Sequence, residues 1–136
     1  MSRESVMHLA IYDAFPEVNG VIHAHPKYAN VFAALAVVPT SGYTEKFGQV
    51  RVVPPLPAPF TQLAEAVVAA LAPCRGELVP HGLALILAWH GVITVGHDLN
   101  DALDILELIE WSAHTMLMAN LLAGIAEPQF IATPSS

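Results

Sequence analysis

Positive charge is what this sequence has least of: five Lys and Arg stand against twelve Asp and Glu, for a net charge of −7. A surface that tracks phosphate backbones needs clustered cations, so nucleic acid is excluded as a partner. Cysteine is nearly absent, and a single Cys74 excludes an internal disulfide framework. No apolar run reaches the roughly 18 residues of a membrane span. The longest, residues 28–39, is interrupted by Asn30. The first residues, Met1 to His8, lack the apolar core of a secretion signal. Internal repeats are also missing. These absences fit a cytoplasmic protein that does not engage membranes. What is present is apolar: 54% of the 136 residues, with only 12% charged. That exceeds an ordinary globular composition. A length of 136 residues allows one domain, 1–136, with a real core. The apolar excess is expected at a subunit interface, and so in a homo-oligomer.

The patterning alternates helical and extended segments. Ser2 is a candidate N-cap, and Met7, Ala10, Ile11 and Phe15 recur at helical spacing, so 3–14 reads as a helix. Pro16 and Asn19-Gly20 end it. Residues 21–25 read as a strand. A helix from Pro26 to about Leu35 follows, Pro fitting the first turn. A loop over 39–48 carries Ser41, Gly42 and Tyr43, and 49–53 is a strand stopped by Pro54 and Pro55. Thr61 is expected to cap a helix through Leu71, with a loop over 73–82 behind it. Residues 84–89 and 92–95 read as buried strands, and Asp98 as the cap of a last helix, 99–122. The tail from Glu127 is expected to fray. Helices mixed with short strands give a layered α/β domain.

His23 and His25 are two apart in the expected strand, and side chains at i and i+2 share a face. Two imidazoles then stand side by side at a spacing that suits one metal ion. His90 ends an apolar strand, with Gly91 letting the backbone turn beside it. Three neutral imidazoles with a position left open are the pattern of a catalytic zinc site. Nitrogen and oxygen donors suit Zn2+, and also Mn2+, Co2+ or iron. A His-x-His pair in a strand is also a common arrangement of structural or surface histidines, and spacing alone leaves both readings open.

Four stretches resemble the class II aldolase/adducin family: Ser2 to Tyr12, Val21 to Pro26 with its His23-Ala-His25, Leu85 to Gly96 with His90-Gly91, and Asp98 to Ala102 with Glu107 and Glu110. The resemblance implies a three-layer α/β/α fold with a central, mostly antiparallel sheet. It implies His23, His25 and His90 as metal ligands and Glu4 as a metal-associated carboxylate that moves off to act as acid or base. The family's epimerase branch looks to carry Asp at that position, so Glu4 points to the aldolase or dehydratase side. Tyr43 falls near a loop tyrosine that aldolases of this family use as a proton donor. The implied function is a metal-dependent aldolase acting on a small ketose or ketose phosphate through a metal-stabilised enediolate, with a site between subunits of a tetramer. A dehydratase, epimerase or decarboxylase using the same chemistry is the enzymatic alternative. A non-catalytic, adducin-like metal binder is the other, against which the complete ligand set speaks.

The sequence departs from the family at its start. Members carry a segment before the position of Glu4 that binds the substrate phosphate, and that segment is missing here, as in a truncated form, a misassigned start or a natural short variant. No other phosphate loop replaces it. The remaining polar residues have plainer expected roles. His8 either orients Glu4 or lies on a solvated helix face. His81 and His97 are expected at the surface, and His114 in a core or interface. Glu107 and Glu110 either support the site or a neighbouring subunit or lie on a solvated face, the solvated face being the plainer expectation, and Cys74 is expected as an inert loop thiol.

Overall fold

Leu83–Leu87 is apolar throughout, and every one of its residues is buried. So is every residue of Gly91–Gly96. Strands buried on both faces read as continuous apolar runs rather than as alternation, and these two lie at the centre of the sheet. A computed structural model describes residues 4–39, 50–57 and 60–125. The elements are α1 (Ser5–Ala14), β1 (Gly20–Ala24), α2 (Ala29–Ala34), β2 (Arg51–Val53), α3 (Phe60–Leu71), a 3-10 helix (Ala72–Glu77), α4 (Leu78–His81), β3 (Leu83–Leu87), β4 (Gly91–Gly96) and α5 (Leu99–Ile125). Strand order is β1-β4-β3-β2. The β1–β4 and β3–β4 pairs are antiparallel and β2–β3 is parallel, so the sheet is mixed and mostly antiparallel, as expected.

Side chains alternate across β3 and β4 between two cores. Leu83, Leu85, Leu87, Ile93 and Val95 pack with Met7 and Ile11 of α1 and Val67 and Leu71 of α3. Ala84, Ile86 and Val92 pack instead with Ala29, Phe32 and Ala33 of α2 and Ile105, Ile109 and Ala113 of α5. Helices therefore cover both faces, which gives the α/β/α layering. Thr94 is the polar exception in β4. It is fully buried, and its hydroxyl donates to the Ala102 carbonyl at 2.7 Å, so its polar group is satisfied.

Several boundaries differ from the sequence reading. The segment expected as a loop over 73–82 is helical, because Cys74 and Leu78 are buried in the α1–α3 core and draw it onto the body of the protein. Pro73 fits there because the first turn of a helix needs no N–H donor. Cys74 is accordingly a core thiol, not a loop thiol. α3 begins at Phe60, which places Thr61 inside the first turn rather than at the cap. α2 begins at Ala29, three residues after Pro26. Trp89 is not in a strand: it lies in the turn between β3 and β4 with φ 62° and is 74% exposed. Ser2, Tyr43, Lys46, Gln49 and the tail from Glu127 lie outside the described residues.

Asp98 does cap α5: its Oδ1 accepts from the Asp101 N–H at 2.9 Å. Asp98→Ala is expected to cost about 1 kcal/mol. That should lower the melting temperature by roughly 3–5 °C in a chain of this size, read against Asn100→Ala as a neighbouring exposed control.

No helix among the described residues is long and apolar enough to cross a membrane. α5 does expose large apolar side chains, among them Trp111, Met118, Leu121 and Leu122.

Candidate metal centre

Strand pairing sets the first side chain. His23 lies opposite Ile93, and Ile93 faces the α1–α3 core. Directly paired side chains share a face, so His23 points toward the helix that begins after Glu4. Its Nδ1 lies 3.0 Å from the Val92 carbonyl. A carbonyl only accepts, so Nδ1 carries the proton and the lone pair is on Nε2. That Nε2 is buried and has no hydrogen-bond partner.

His25 lies outside the strand expected to hold it, because β1 ends at Ala24. Its ring still stands beside that of His23, with centroids 4.9 Å apart and the planes nearly perpendicular. Gly91 does not serve a turn conformation, since the left-handed residue of this turn is Trp89. What Gly91 supplies is room. A Cβ there would collide with the His25 ring at Cδ2 and come within 2.6 Å of the Ala24 carbonyl oxygen.

His90 closes the three-residue turn between β3 and β4. Three backbone bonds pin that turn: Ala88 N–H to Val53, Trp89 N–H to Ala33 and His90 N–H to Leu87, at 3.0, 2.9 and 3.0 Å. A bulky residue at positive φ is strained, and here that strain sits next to the ring that faces His23 at 4.8 Å.

Glu4 occupies the N-cap position of α1 but makes no side-chain capping bond. Its carboxylate is turned to the histidines instead, with Oε1 3.5 Å from both His23 Nε2 and His90 Nε2. One donor atom from each of Glu4, His23, His25 and His90 lies within 4.8 Å of all the others. The expected site residues are thus brought together, Tyr43 excepted, which lies outside the described residues.

The donor set fits a divalent cation on a physical ground. His23 presents a lone pair, and the facing Glu4 oxygen is also an acceptor. Two acceptors turned toward one another at 3.5 Å, one of them on a buried ring, repel unless a proton or a cation lies between them. Zinc and its neighbours take imidazole nitrogen and carboxylate oxygen, and the Nδ1–carbonyl bond is the outer support that fixes a ligating ring.

Burial pushes the His23 imidazole below its ordinary value; the Glu4 carboxylate opposes this, His90 and His25 add to it, and the Val92 carbonyl opposes it. Burial likewise lowers His8, against the pull of Glu4. Both groups resist protonation in the folded chain. Their contribution to stability is therefore complete above the unfolded value near 6.5 and is lost as pH falls below it. Melting curves of the chelator-treated protein should move to lower temperature between pH 7 and pH 5, and His8→Gln should reduce that slope. A melting temperature independent of pH over this range would contradict the assignment.

Two further hollows flank these elements. One of about 350 Å³ adjoins His90 and is walled by Pro54, Pro55, Phe60, Leu63 and Trp89. A larger open groove of about 980 Å³ runs along α5 past Pro26, Tyr28, Glu107, Glu110, Trp111 and His114; none of the four cluster residues lines it, though Pro26 adjoins His25. A second group, His97 with Asp98 and Asp101, also has donor atoms within 4.8 Å of one another. His97 and Asp98 are exposed there, and Asp98 is the α5 cap.

For Glu110 the sequence left a supporting role and a solvated face open, with the solvated face preferred; its carboxylate instead accepts from the Tyr28 and Ala29 N–H groups. Those partners are 82 and 81 residues away, and no local pattern signals such a bond. Glu107 is exposed, as expected. His114, expected in a core or interface, is half-buried and stacked on Tyr28 at 4.2 Å.

An α/β/α sandwich gathers three imidazoles and one carboxylate at one end of its sheet, a donor set of the kind that can hold a divalent cation. Residues 1–117 match the family described as Class II Aldolase and Adducin N-terminal domain, and the chain belongs to that family. It is 32% identical over 120 residues to a 3-oxo-tetronate 4-phosphate decarboxylase of Haemophilus influenzae, covering 82% of this chain and 53% of that protein. It is 29% identical over 119 residues to an L-fuculose phosphate aldolase of Methanococcus maripaludis, covering 84% of this chain and 59% of that one. The structure of the L-fuculose-1-phosphate aldolase from Thermus thermophilus superposes with a TM-score of 0.74 at 27% identity, covering 95% of this chain and 66% of that one. The chain spans rather more than half the length of these two sequence relatives.

Proposed function

We propose that this chain forms the metal centre of a divalent-metal-dependent carbon–carbon lyase of the aldolase type, acting on a small ketose or ketose phosphate. The observation that carries the reading is the convergence of Glu4, His23, His25 and His90, with the His23 Nε2 lone pair buried and unpartnered inside it. The three imidazoles would hold Zn2+, Mn2+ or Co2+, with Glu4 beside them. A bound cation supplies Lewis acidity toward the negative charge that develops on substrate oxygens.

The chain's own residues supply the rest. His23 and His90 are fixed, one by the strand and the Val92 carbonyl, the other by a pinned turn. Glu4 is not fixed in this way: its side chain is 42% exposed, against 4% for His23. It lies at the open side of the cluster, free to leave the imidazoles and to give or take a proton at a substrate carbon. Tyr43 is the candidate for a second proton carrier. A Schiff base is not required, and Lys27 lies at the surface over the Tyr28 ring.

A decarboxylase is the second reading, favoured by the 32% identity to the Haemophilus influenzae protein. Retro-aldol cleavage and loss of carbon dioxide from a 3-oxo acid both leave an electron pair on a carbon beside a carbonyl, so one site suits either. Exposed Trp111, Met118, Leu121 and Leu122 on α5 support assembly into a homo-oligomer, with a tetramer proposed from the family resemblance.

The test is elemental analysis of the purified chain followed by two assays, aldehyde release from ketose phosphates and carbon dioxide release from phosphorylated 3-oxo acids. Near one metal per chain and turnover in the first assay support the aldolase; turnover in the second alone selects the decarboxylase. A metal-free protein silent in both overturns the proposal.

A further inference from the structure

We propose that Glu110 of α5 is a positioning residue that sets His25 in the metal centre; this rests on the metal-centre reading above. Of the three histidines, His25 is the exposed one. It has left the strand, so the ladder does not place its ring, which rests against the His23 ring and Gly91 on one side. On its backbone side the ring is placed by the short stretch that follows. Only Pro26 and Lys27 separate it from Tyr28, and proline fixes one of the backbone angles between them.

α5 grips that stretch at Tyr28. The Tyr28 N–H donates to Glu110 Oε1 at 2.8 Å and to Oε2 at 3.1 Å, and the Ala29 N–H donates to Oε2 at 2.8 Å. One turn further along α5, the His114 ring stacks on the Tyr28 ring, with centroids 4.2 Å apart and planes 12° from parallel. Hydrogen bonds from N–H to a carboxylate are shorter and stronger than neutral ones. Removing the carboxylate leaves two partly buried N–H donors without partners, so the stretch is expected to move to find others. On its far side His25 lies against Gly91, where there is no slack. A shift of Tyr28 therefore carries the His25 nitrogen away from the other donors.

A role limited to fastening α2 onto α5 would predict lost stability and nothing more. The two roles separate in a Co2+ titration of the full chain, followed by visible absorption and paired with thermal melts of the metal-free protein. Glu110→Ala should weaken Co2+ binding about 10–100-fold, the usual effect of losing an outer partner, and should move the absorption band toward that of His25→Ala. Glu110→Gln keeps an acceptor oxygen without the charge, should fold, and should weaken binding to an intermediate degree. Ile109→Ala is the control. Ile109 is the buried neighbour on the same helix, packed against the α2 core, and its loss should lower the melting temperature with the wild-type affinity and band retained. Wild-type affinity and band in both Glu110 variants would overturn the proposal, as would an Ile109→Ala that reproduces their shift. A wild-type chain that takes up no Co2+ overturns the metal centre itself, and that arm is read before any variant is compared.

Discussion

Replacing His23 by alanine is expected to abolish metal binding at the proposed centre. His23 is the most constrained donor: its side chain is 4% exposed, its Nδ1 is committed to the Val92 carbonyl, and its Nε2 has no partner other than what the cluster can hold. Losing an outer support of a ligand costs about 10–100-fold in affinity. Losing the ligand should exceed that, so a weakening beyond about a hundredfold is expected, or more than about 2.7 kcal/mol. Measured as metal per chain after dialysis, the value should drop from near one to near zero. His23→Ala also opens space in a packed place, so His25→Ala is the companion variant. His25 is exposed and its removal should leave the core intact. His97→Ala completes the set, because His97 belongs to the separate, exposed group with Asp98 and Asp101. Metal retained in His23→Ala and lost in His97→Ala would move the site to the start of α5.

The elements that can be read from the sequence are those whose cause is local. β3 and β4 show as apolar runs because both faces of each are covered. The α5 cap shows because Asp98 bonds a backbone N–H three residues on. The histidine cluster is legible in part: spacing names His23, His25 and His90, and the family resemblance joins them to Glu4. The geometry puts all four donors within 4.8 Å of one another. What is not legible depends on distant partners. The segment over 73–82, which begins with Pro73 and ends with Gly82, reads as a loop, while the burial of Cys74 and Leu78 that folds it back as helix is a tertiary effect. Gly91 reads as a turn residue, yet its importance is the space that His25 takes up. For Glu110 the sequence favours a solvated face over a supporting role, because nothing near it in the chain reveals the two N–H groups it meets in the α2–α5 layer.

Glu4→Gln is expected to separate chemistry from metal binding. The amide has the shape of the carboxylate but cannot take up a proton. Loss of a positioned acid or base lowers turnover by about 10²–10⁴-fold. Three imidazoles remain, so metal content should stay near that of the wild type, and the fall should appear in kcat. Equal loss of metal and activity would make Glu4 a ligand first; unchanged activity would remove it from the reaction. The same variant has a second, independent signature in the metal-free protein. The Glu4 carboxylate raises the affinity of both His23 and His8 for protons, in opposition to burial. With that charge gone, both imidazoles should be pushed further below their ordinary value. The unfolded chain would then hold more protons than the folded one over a wider range below about pH 6.5, so stability should fall more steeply with acid than in the wild type. Melting temperatures of the two proteins should agree more closely at pH 8 than at pH 5. A gap that does not widen on acidification would mean that the carboxylate does not face these two rings in solution.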